Sequence, residues 1–559
     1  MEQKDEKTMQ APTQEGNTAK QSSAKRYLLF ALLIVACVLL TSILYFTIKP
    51  LIETWVRGSV AQSMMAVGLI ATAALAVYLA VKKKLTLGWA IALACIAAYI
   101  LRVGYILYTA GNARQYDTFS PNFDGHEAYA WTIFSTGTLP DSNVYQFYHP
   151  PLNALLQAGF MHVVDGLTSG LSELFSLGDY FPSAFAYSKP EYLDERRYFL
   201  YSSCQILSLV YSMLAVVGCI KLVLLFPFSN QVKGWLCLLV AIFPRGIQLA
   251  GQLNNDVLSF ALGIWALYFA LKWQKQGKGW LAITLCALCV GLGLMTKLST
   301  ATICLPIAGV FIYEFICTVF KKEGSMPLSK MIAQYAVFLA IGVPVGLWFQ
   351  VYAKVRFDQN FGFVFSNLNH ALYTGDYSLF ERFVFPFSLK ELFGSLYCRP
   401  FDYHHYLFGY ALRSAIFGEF GYYNGEGFAT AALLFGAVAS AVLLVGVVWS
   451  AIVCIKDAKG KGTLIKKIGV SYADFLFAFL LVQSQVIGEV YFYLQMPYGC
   501  TMDFRYILPM IAGVALTIGL VERVLAAEGG TFSKALRTLL YATCGTFLAT
   551  STLFYCVCI

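Results

Sequence analysis

The chain has 559 residues, of which 58% are hydrophobic and 13% are charged, and its mean hydropathy is +0.63. So little polar surface excludes a soluble globule of this size and indicates an integral membrane protein. The formal net charge of +9 does not indicate nucleic-acid binding, because the basic residues are dispersed among short loops instead of being gathered on one face.

Residues 1–26 form a polar segment without a hydrophobic period, which predicts a disordered cytoplasmic tail. Apolar runs of about 20 residues, the length that crosses a bilayer, then recur to the carboxyl terminus. Because backbone groups in lipid must pair internally, these runs predict helices. We therefore expect an all-α polytopic membrane protein with about thirteen transmembrane helices. The predicted helices span residues 27–48, 60–81, 87–108, 199–226, 234–249, 257–273, 280–296, 299–320, 331–352, 428–455, 470–492, 506–524 and 539–558.

The loops richest in lysine fall on one side of the membrane when the helices are threaded in order, namely residues 82–84, 272–278, 321–322 and 456–467. The positive-inside rule makes that side cytoplasmic. Two long segments, 109–198 and 353–427, then lie on the extracytoplasmic side. Their many Tyr and Phe residues are typical of the headgroup level, so we expect juxtamembrane amphipathic helices and loops there.

Asp124 is the first candidate for catalysis, since it follows a membrane helix by a short loop. Gly125 permits a tight turn that presents the carboxylate to the membrane. His126 and Glu127 are close enough in sequence to tune or share the site. Alternatively, Asp124 only caps a helix that begins at His126.

A second element is the run Tyr148-His149-Pro150-Pro151-Leu152. Proline is favoured in a first helical turn, so the run predicts His149 at a helix start, where an anion is favoured. A pair of prolines at a helix start is also a common structural device.

Taken together, Asp124 and Pro150-Pro151-Leu152 resemble the GT-C class of membrane glycosyltransferases. The pattern is most similar to a bacterial branch near the protein O-mannosyltransferases and the aminoarabinose transferase of lipid A. Those families place a catalytic Asp in the first extracytoplasmic loop and a signature ending in Pro-Pro-Leu after it. The segments 252–256, 291–297 and 504–509 are also similar to family segments.

The resemblance covers roughly residues 101–521. It implies a GT-C-like transmembrane glycosyltransferase domain over residues 101–559, preceded by additional N-terminal transmembrane helices within 27–100. Two departures concern the site: Gly125 and His126 stand where the families usually have an acidic residue, and His149 stands where the aminoarabinose transferase has a Lys.

The reaction implied by the resemblance moves a sugar from a polyprenyl-phosphate donor to an acceptor hydroxyl on a protein, glycan or lipid, with inversion at the anomeric carbon. The implied catalytic residues are Asp124, as general base, and Glu127. The residues implied to bind the donor phosphate are His149, Lys297 and Arg505, and those implied to bind substrate are His126, Tyr148, Asn255 and Asp256.

Structural roles compete with several of these assignments. Lys297 can extend its amine to the membrane interface, Arg505 can pair with its neighbour Asp503, and Asp256 suits the positive end of a helix dipole. The adjacent His404 and His405 lack a clear third ligand, so loop packing explains them better than a metal site. We predict no metal or other cofactor, because basic side chains can neutralise a monophosphate, although the sequence leaves a divalent ion open.

Two other functions fit a polytopic chain. A transporter or flippase for lipid-linked sugars also places charges in membrane helices, but it should show interrupted helices at corresponding positions of two related halves, and no such pairing is evident. The second of these functions is that of a noncatalytic membrane scaffold with the same fold. No Asn-x-Ser/Thr sequon occurs, which agrees with a bacterial plasma membrane.

The lysine distribution generates a topology test. An impermeant maleimide applied to intact cells should label a Ser142→Cys variant, whereas a Gly460→Cys variant should be labelled only after the cells are permeabilised. The unsubstituted chain, which has 15 cysteines, supplies the background. The reverse labelling pattern would place the candidate catalytic loop in the cytoplasm and contradict the prediction.

Overall fold

The computed structural model describes residues 14–55, 59–115, 117–119, 125–320, 326–362, 372–384, 396–398, 405–460 and 463–558. These parts of the chain are built from helices and loops, and their β pairing is confined to one isolated bridge between Tyr373 and Tyr498.

The α-helices of the described residues are numbered here in chain order. Those of the first half are α1 (Gln14–Trp55), α2 (Ser59–Val81), α3 (Leu87–Tyr108), α4 (His126–Thr136), α5 (Leu152–Phe175), α6 (Tyr180–Ala184), α7 (Glu195–Ser203), α8 (Gln205–Leu224), α9 (Asn230–Ala241), α10 (Pro244–Leu249) and α11 (Asp256–Lys275). Those of the second half are α12 (Trp280–Leu294), α13 (Cys304–Val319), α14 (Leu328–Phe357), α15 (Leu379–Phe383), α16 (Leu407–Phe417), α17 (Glu426–Lys459), α18 (Leu464–Ile468), α19 (Tyr472–Gln495), α20 (Met510–Glu528) and α21 (Thr531–Val557).

Among the described residues, 11 helical segments are long and apolar enough to cross a membrane. The all-α polytopic class is therefore confirmed, but the predicted count of about thirteen is too high. Residues 234–249 divide into α9 and α10, because Pro244 lacks an N–H and forces Phe243 out of the helical region, at ψ 128°. Residues 280–296 hold only α12, which has 15 residues and is too short to span.

The amino-terminal helix begins earlier than the sequence predicts. α1 starts at Gln14, so residues 14–26, predicted as part of a disordered tail, are helical. Extending an existing helix by one residue costs much less than nucleating one, and the long apolar run after Tyr27 supplies the nucleus.

The two ends of the helix bundle differ in their charged residues. α11 has 20 residues, a length of about 30 Å; it begins at Asp256 and ends at Lys275. Lys275 pairs with Asp474 at the start of α19, and Asp256 pairs with Lys297 after α12. We call these the lysine end and the site end. The lysine-rich loop after α11 thus lies at the opposite end of α11 from Asp256 and Lys297.

The additional N-terminal helix α1 attaches to the bundle near the site end through a buried lysine. The ammonium of Lys49 donates hydrogen bonds to the carbonyl oxygens of Ile106 (2.7 Å) and Thr109 (2.8 Å) and to Oε1 of Gln205 (2.7 Å). These bonds satisfy the charge and two carbonyls at the end of α3, where a helix leaves its last carbonyls without partners. Along the rest of α1, side chains such as Leu32 and Leu39 are exposed, as expected for a surface facing lipid.

The helices of the predicted outer segment 109–198 are mainly α4 and α5. α5 buries Ala158 and Met161 but leaves Val163, Leu167 and Leu174 exposed. An apolar face exposed on this scale agrees with a helix lying against lipid. Much of the second predicted outer segment, 353–427, lies outside the described residues.

Candidate functional site

The Pro-Pro-Leu element is joined directly to the segment that carries Lys297. The backbone N–H of Leu152, the first residue of α5, donates to the carbonyl of Met295 over 3.0 Å. This bond unites the start of one outer helix with the end of α12, so His149 and Lys297 lie at the same end of the bundle.

The loop between α10 and α11 is a second junction. Leu253 donates its N–H to Oε1 of Gln115 (2.7 Å) and accepts from Nε2 of Gln157 (2.7 Å). Asn255 donates through Nδ2 to the carbonyl of Thr296 over 3.1 Å. Buried non-helical backbone must find such partners, and the bonds position Asn255 and Asp256 beside Lys297. The side chain of Asn255, which is predicted to bind substrate, thus connects the loop before α11 to the end of α12.

Lys297 and Asp256 form a buried ion pair, with side chains 14% and 3% exposed. The ammonium also lies 4.5 Å from the centre of the Tyr506 ring, within cation–π range. Burial lowers the pKa of Lys297, and the charge of Asp256 opposes that shift. The amine therefore points into the protein and does not extend to the membrane interface.

Arg505 sits among several acidic groups without a close ion pair. Its guanidinium nitrogens are 3.6 Å from carboxylate oxygens of Glu419 and Asp503 and 3.7 Å from Asp117. Its Nε has no hydrogen-bond partner. The closer partner of Asp503 is Arg245, at 2.6 Å with both side chains fully buried. Arg505 therefore does pair with its neighbour Asp503, at 3.6 Å, but it shares that carboxylate with Arg245.

His126 and His149 stack on each other, with ring centres 5.3 Å apart and an interplanar angle of 28°. Burial lowers the pKa of His126 to about 4, and Lys297 and Arg505 contribute to the lowering. Burial, the charge of His126 and the same two cations also place the pKa of His149 well below its usual range. Both imidazoles are therefore neutral at neutral pH and offer an N–H donor rather than a charge.

The three residues predicted to bind the donor phosphate thus meet in one place. His149 interacts electrostatically with Lys297 and Arg505, although the three come from distant parts of the sequence. Tyr148, predicted to bind substrate, packs beside His149 with ring centres 4.3 Å apart. A narrow crevice runs from Arg505 and Tyr506 between α11 and the turn Leu298–Ile303.

Asp124 lies outside the described residues, but its neighbour Gly125 is described. Gly125 occupies the N-cap position of α4 with φ −90°, so it is not needed for a left-handed turn. A Cβ at this position would lie 2.3 Å from the carbonyl oxygen of Thr118. Glycine is required there because two chain segments approach closely, and His126 secures the approach by donating its N–H to the carbonyl of Asp117 (2.8 Å).

Glu127 is occupied by an ion pair. Its two carboxylate oxygens accept from Nε and a terminal nitrogen of Arg197 at 2.5 and 2.6 Å, and the guanidinium lies 5.2 Å from the centre of a Trp131 ring. This pair joins α4 to α7. A catalytic role for Glu127 stays a prediction, and the observed contacts are those of a positioning residue.

The sequence reasoning missed several charged members of the site. The cluster of charged side chains contains the basic residues Arg245, Lys297 and Arg505 and the acidic residues Asp256, Glu419, Glu489 and Asp503. Among these buried groups the acids outnumber the bases. Glu489 had a usable signal, since it is a carboxylate inside the predicted membrane helix 470–492.

The described residues contain no group of three His, Cys, Asp or Glu side chains arranged to hold a metal ion. His405 stacks on Tyr377, with ring centres 3.8 Å apart, and its carbonyl accepts a hydrogen bond from Tyr493. These contacts agree with loop packing, and His404 lies outside the described residues.

No protein-family model matches the chain, and no curated protein sequence matches it. Solved structures that are similar to the chain include two of ArnT and one of AglB. The chain is 13% identical to ArnT from Cupriavidus metallidurans in the apo state, with a TM-score of 0.34, covering 78% of this chain and 77% of that one. The chain is 14% identical to ArnT from Cupriavidus metallidurans bound to undecaprenyl phosphate, with a TM-score of 0.32. This match covers 78% of this chain and 78% of that one.

The third is the archaeal oligosaccharyltransferase AglB from Archaeoglobus fulgidus, in complex with an inhibitory peptide and a dolichol-phosphate. Identity is 13% and the TM-score 0.43; the match covers 84% of this chain but only 56% of AglB. Since all three TM-scores lie below 0.5, the function is argued below from the side chains of the site.

The carboxyl group of Glu419 generates a pH prediction. Burial raises its pKa to about 8, against the opposing charge of Arg505, and Tyr410 donates a hydrogen bond to it over 2.7 Å. Between the ordinary pKa of a glutamate and about pH 8, the carboxyl group of Glu419 therefore stays protonated in the folded chain but is ionised in the unfolded chain. The resulting stability is present at low pH and is lost as the pH rises through about 8.

Unfolding in detergent should reveal this loss. Between about pH 6.5 and 8, the free energy of unfolding of the wild type should fall by up to about 2 kcal/mol relative to a Glu419→Gln variant. The exposed Glu426 supplies a matched control, and Glu426→Gln should follow the wild type. Parallel pH curves for wild type and Glu419→Gln would contradict the raised pKa.

Proposed function

We propose that the chain transfers a sugar from a polyprenyl-phosphate donor to an acceptor hydroxyl at the extracytoplasmic face of a bacterial plasma membrane. The observation that carries the proposal is that Lys297 and Arg505 both lie against the ring of Tyr506 at the end of a membrane helix bundle, where His149 interacts electrostatically with both cations. A lipid donor can bring its phosphate to the end of such a bundle while its prenyl chain stays in the bilayer.

The phosphate is the leaving group, and negative charge develops on it as the glycosidic bond breaks. Preorganised donors aimed at that charge stabilise the transition state. Lys297 supplies an ammonium, Arg505 supplies an Nε–H that makes no hydrogen bond within the protein, and neutral His149 can supply an N–H. The long contacts from Arg505 to acids, 3.6 to 3.7 Å, are readily exchanged for a phosphate.

The proposal assigns the general base to Asp124, which would take the proton of the acceptor hydroxyl. In an inverting displacement the base and the attacking oxygen lie on the face of the sugar opposite the leaving group. Glu127 would support this segment through Arg197. His126 and Tyr148 would contact substrate beside His149, whereas Asn255 and Asp256 would hold Lys297 in place.

Replacement of the proposed base should separate catalysis from binding. Asp124→Asn should lower turnover about 10²–10⁴-fold, because the amide is nearly isosteric but cannot accept the proton. The measurement is release of undecaprenyl phosphate from radiolabelled mannosyl, glucosyl and arabinosyl phosphoryl undecaprenol in membrane vesicles. Asp141→Asn, at an exposed ion pair with Arg356, is the matched control and should retain activity.

Turnover of Asp124→Asn within a few-fold of the wild type would remove Asp124 as the base. If the wild type moves the same lipids across the vesicle membrane without releasing undecaprenyl phosphate, the chain is a transporter and the enzyme proposal is wrong. Each result is read per molecule of folded protein.

The phosphate ligands require a variant that removes a cation without leaving a buried acid unpaired. The double variant Lys297→Met/Asp256→Asn does this, and Asp256→Asn alone keeps the cation. We expect the double variant and Arg505→Gln to lower turnover at least about 10²-fold, as for other transition-state donors. Lys354→Met, at an exposed pair with Asp358, should have no effect. Unchanged turnover per folded molecule in both site variants would contradict the assignment.

A further inference from the structure

Glu489 is a buried carboxylate without a hydrogen-bond donor. Its side chain is 3% exposed, and both Oε1 and Oε2 lack a partner. A buried polar group normally has at least one partner, since leaving it unsatisfied is costly. An ionisable residue inside a membrane helix that faces the protein interior is therefore a candidate for function.

The neighbours of Glu489 on α19 show that this face of the helix is otherwise satisfied. One turn earlier, Gln485 donates to Oγ1 of Thr302 over 3.1 Å. One turn later, the hydroxyl of Tyr493 lies 2.9 Å from Thr374, and its carbonyl accepts from Arg382. Residues four apart share one helix face. The missing partners are therefore particular to Glu489 and not to a loosely packed helix.

Glu489 belongs to the site, because it interacts electrostatically with Lys297 and Arg505 and with the acids Asp503 and Glu419. Lys297 is already paired with Asp256. Neither Lys297 nor Arg505 donates a hydrogen bond to Glu489, and Nε of Arg505 also lacks a hydrogen bond. A ligand suited to both groups accepts from Arg505 and donates to Glu489.

We infer that Glu489 binds hydroxyl groups of the transferred sugar, next to the phosphate held by Lys297 and Arg505. The inference rests on the proposed function and adds the subsite for the sugar. Neutral hydroxyls suit this place better than the phosphate, since a second anion beside a carboxylate is repelled. Because Glu489 lies among the phosphate-binding cations, it is on the leaving-group side, where an inverting enzyme does not place its base.

The test compares farnesyl phosphate with farnesyl phosphoryl mannose, glucose and arabinose, using the full chain in detergent and measuring each Kd. In the wild type at least one conjugate should bind about 10- to 100-fold more tightly than farnesyl phosphate, the gain expected for hydrogen bonds to a charged group. Glu489→Gln should lose most of that gain while its Kd for farnesyl phosphate stays within about twofold. The variant Lys297→Met/Asp256→Asn should weaken all the probes alike.

Glu522, a buried carboxylate of α20 at the lysine end, provides a matched control because it is paired with Arg537. Glu522→Gln should lower the Tm by breaking that pair. It should leave unchanged the factor by which a farnesyl phosphoryl sugar binds more tightly than farnesyl phosphate. Glu489→Gln should keep or raise the Tm, since the side chain that it replaces makes no hydrogen bond with the protein.

The outcomes separate this inference from the proposed function. The role of Glu489 alone would be overturned if Glu489→Gln still bound a sugar conjugate more tightly than farnesyl phosphate by the same factor as the wild type. The same holds if the wild type binds farnesyl phosphate and all the conjugates equally. A wild type that does not bind farnesyl phosphate would overturn the proposed function and the sugar subsite with it.

Discussion

The ion pair between Lys297 and Asp256 is the interaction on which the geometry of the site depends. Each charge lies where water is scarce, so neither side chain can turn away without leaving the other uncompensated at a cost of several kcal/mol. Because Asp256 begins α11 and Lys297 follows α12, the pair fixes the ends of two helices against each other. The bond from Leu152 to Met295 then places the Pro-Pro-Leu element in the same frame.

Protonation determines how much positive charge the site can offer. The neutral imidazoles of His126 and His149 keep the cation count low, and the raised pKa of Glu419 keeps that carboxyl protonated at neutral pH. A protonated Glu419 does not compete for Arg505, which therefore stays available to an incoming anion. The site can therefore contain more acidic than basic residues and still leave Arg505 free to bind an anion.

Features set by local sequence were predictable. α3 was predicted over residues 87–108, where the structure has it, because a long apolar run follows Thr86, whose side chain caps the helix. The break at Pro244 was missed because the apolar run continues through it, although a proline in a helix is a known breaker. The superfamily resemblance pointed to Lys297, Arg505 and His149, which interact with one another in the structure, and their binding of a donor phosphate stays a prediction.

Features set by distant contacts were not predictable. Glu489 could be singled out as a carboxylate inside a predicted membrane helix, but nothing nearby in the sequence identifies the distant groups that surround it or Arg245. Gly125 was selected for the freedom of its backbone, whereas the structure needs it for the close approach of Thr118. Such approaches depend on tertiary packing, which a single sequence does not encode in any local pattern.

The buried pair of Arg245 and Asp503 has a consequence for biogenesis. The two residues are 258 positions apart, so a ribosome delivers Arg245 to the membrane well before its partner exists. Until α20 follows, this guanidinium must remain hydrated or borrow lipid phosphates, since an unpaired charge is poorly tolerated in hydrocarbon. The site therefore closes only after Asp503 has been synthesised, and a chain truncated before Asp503 would expose an unneutralised arginine to the quality-control proteases of the membrane.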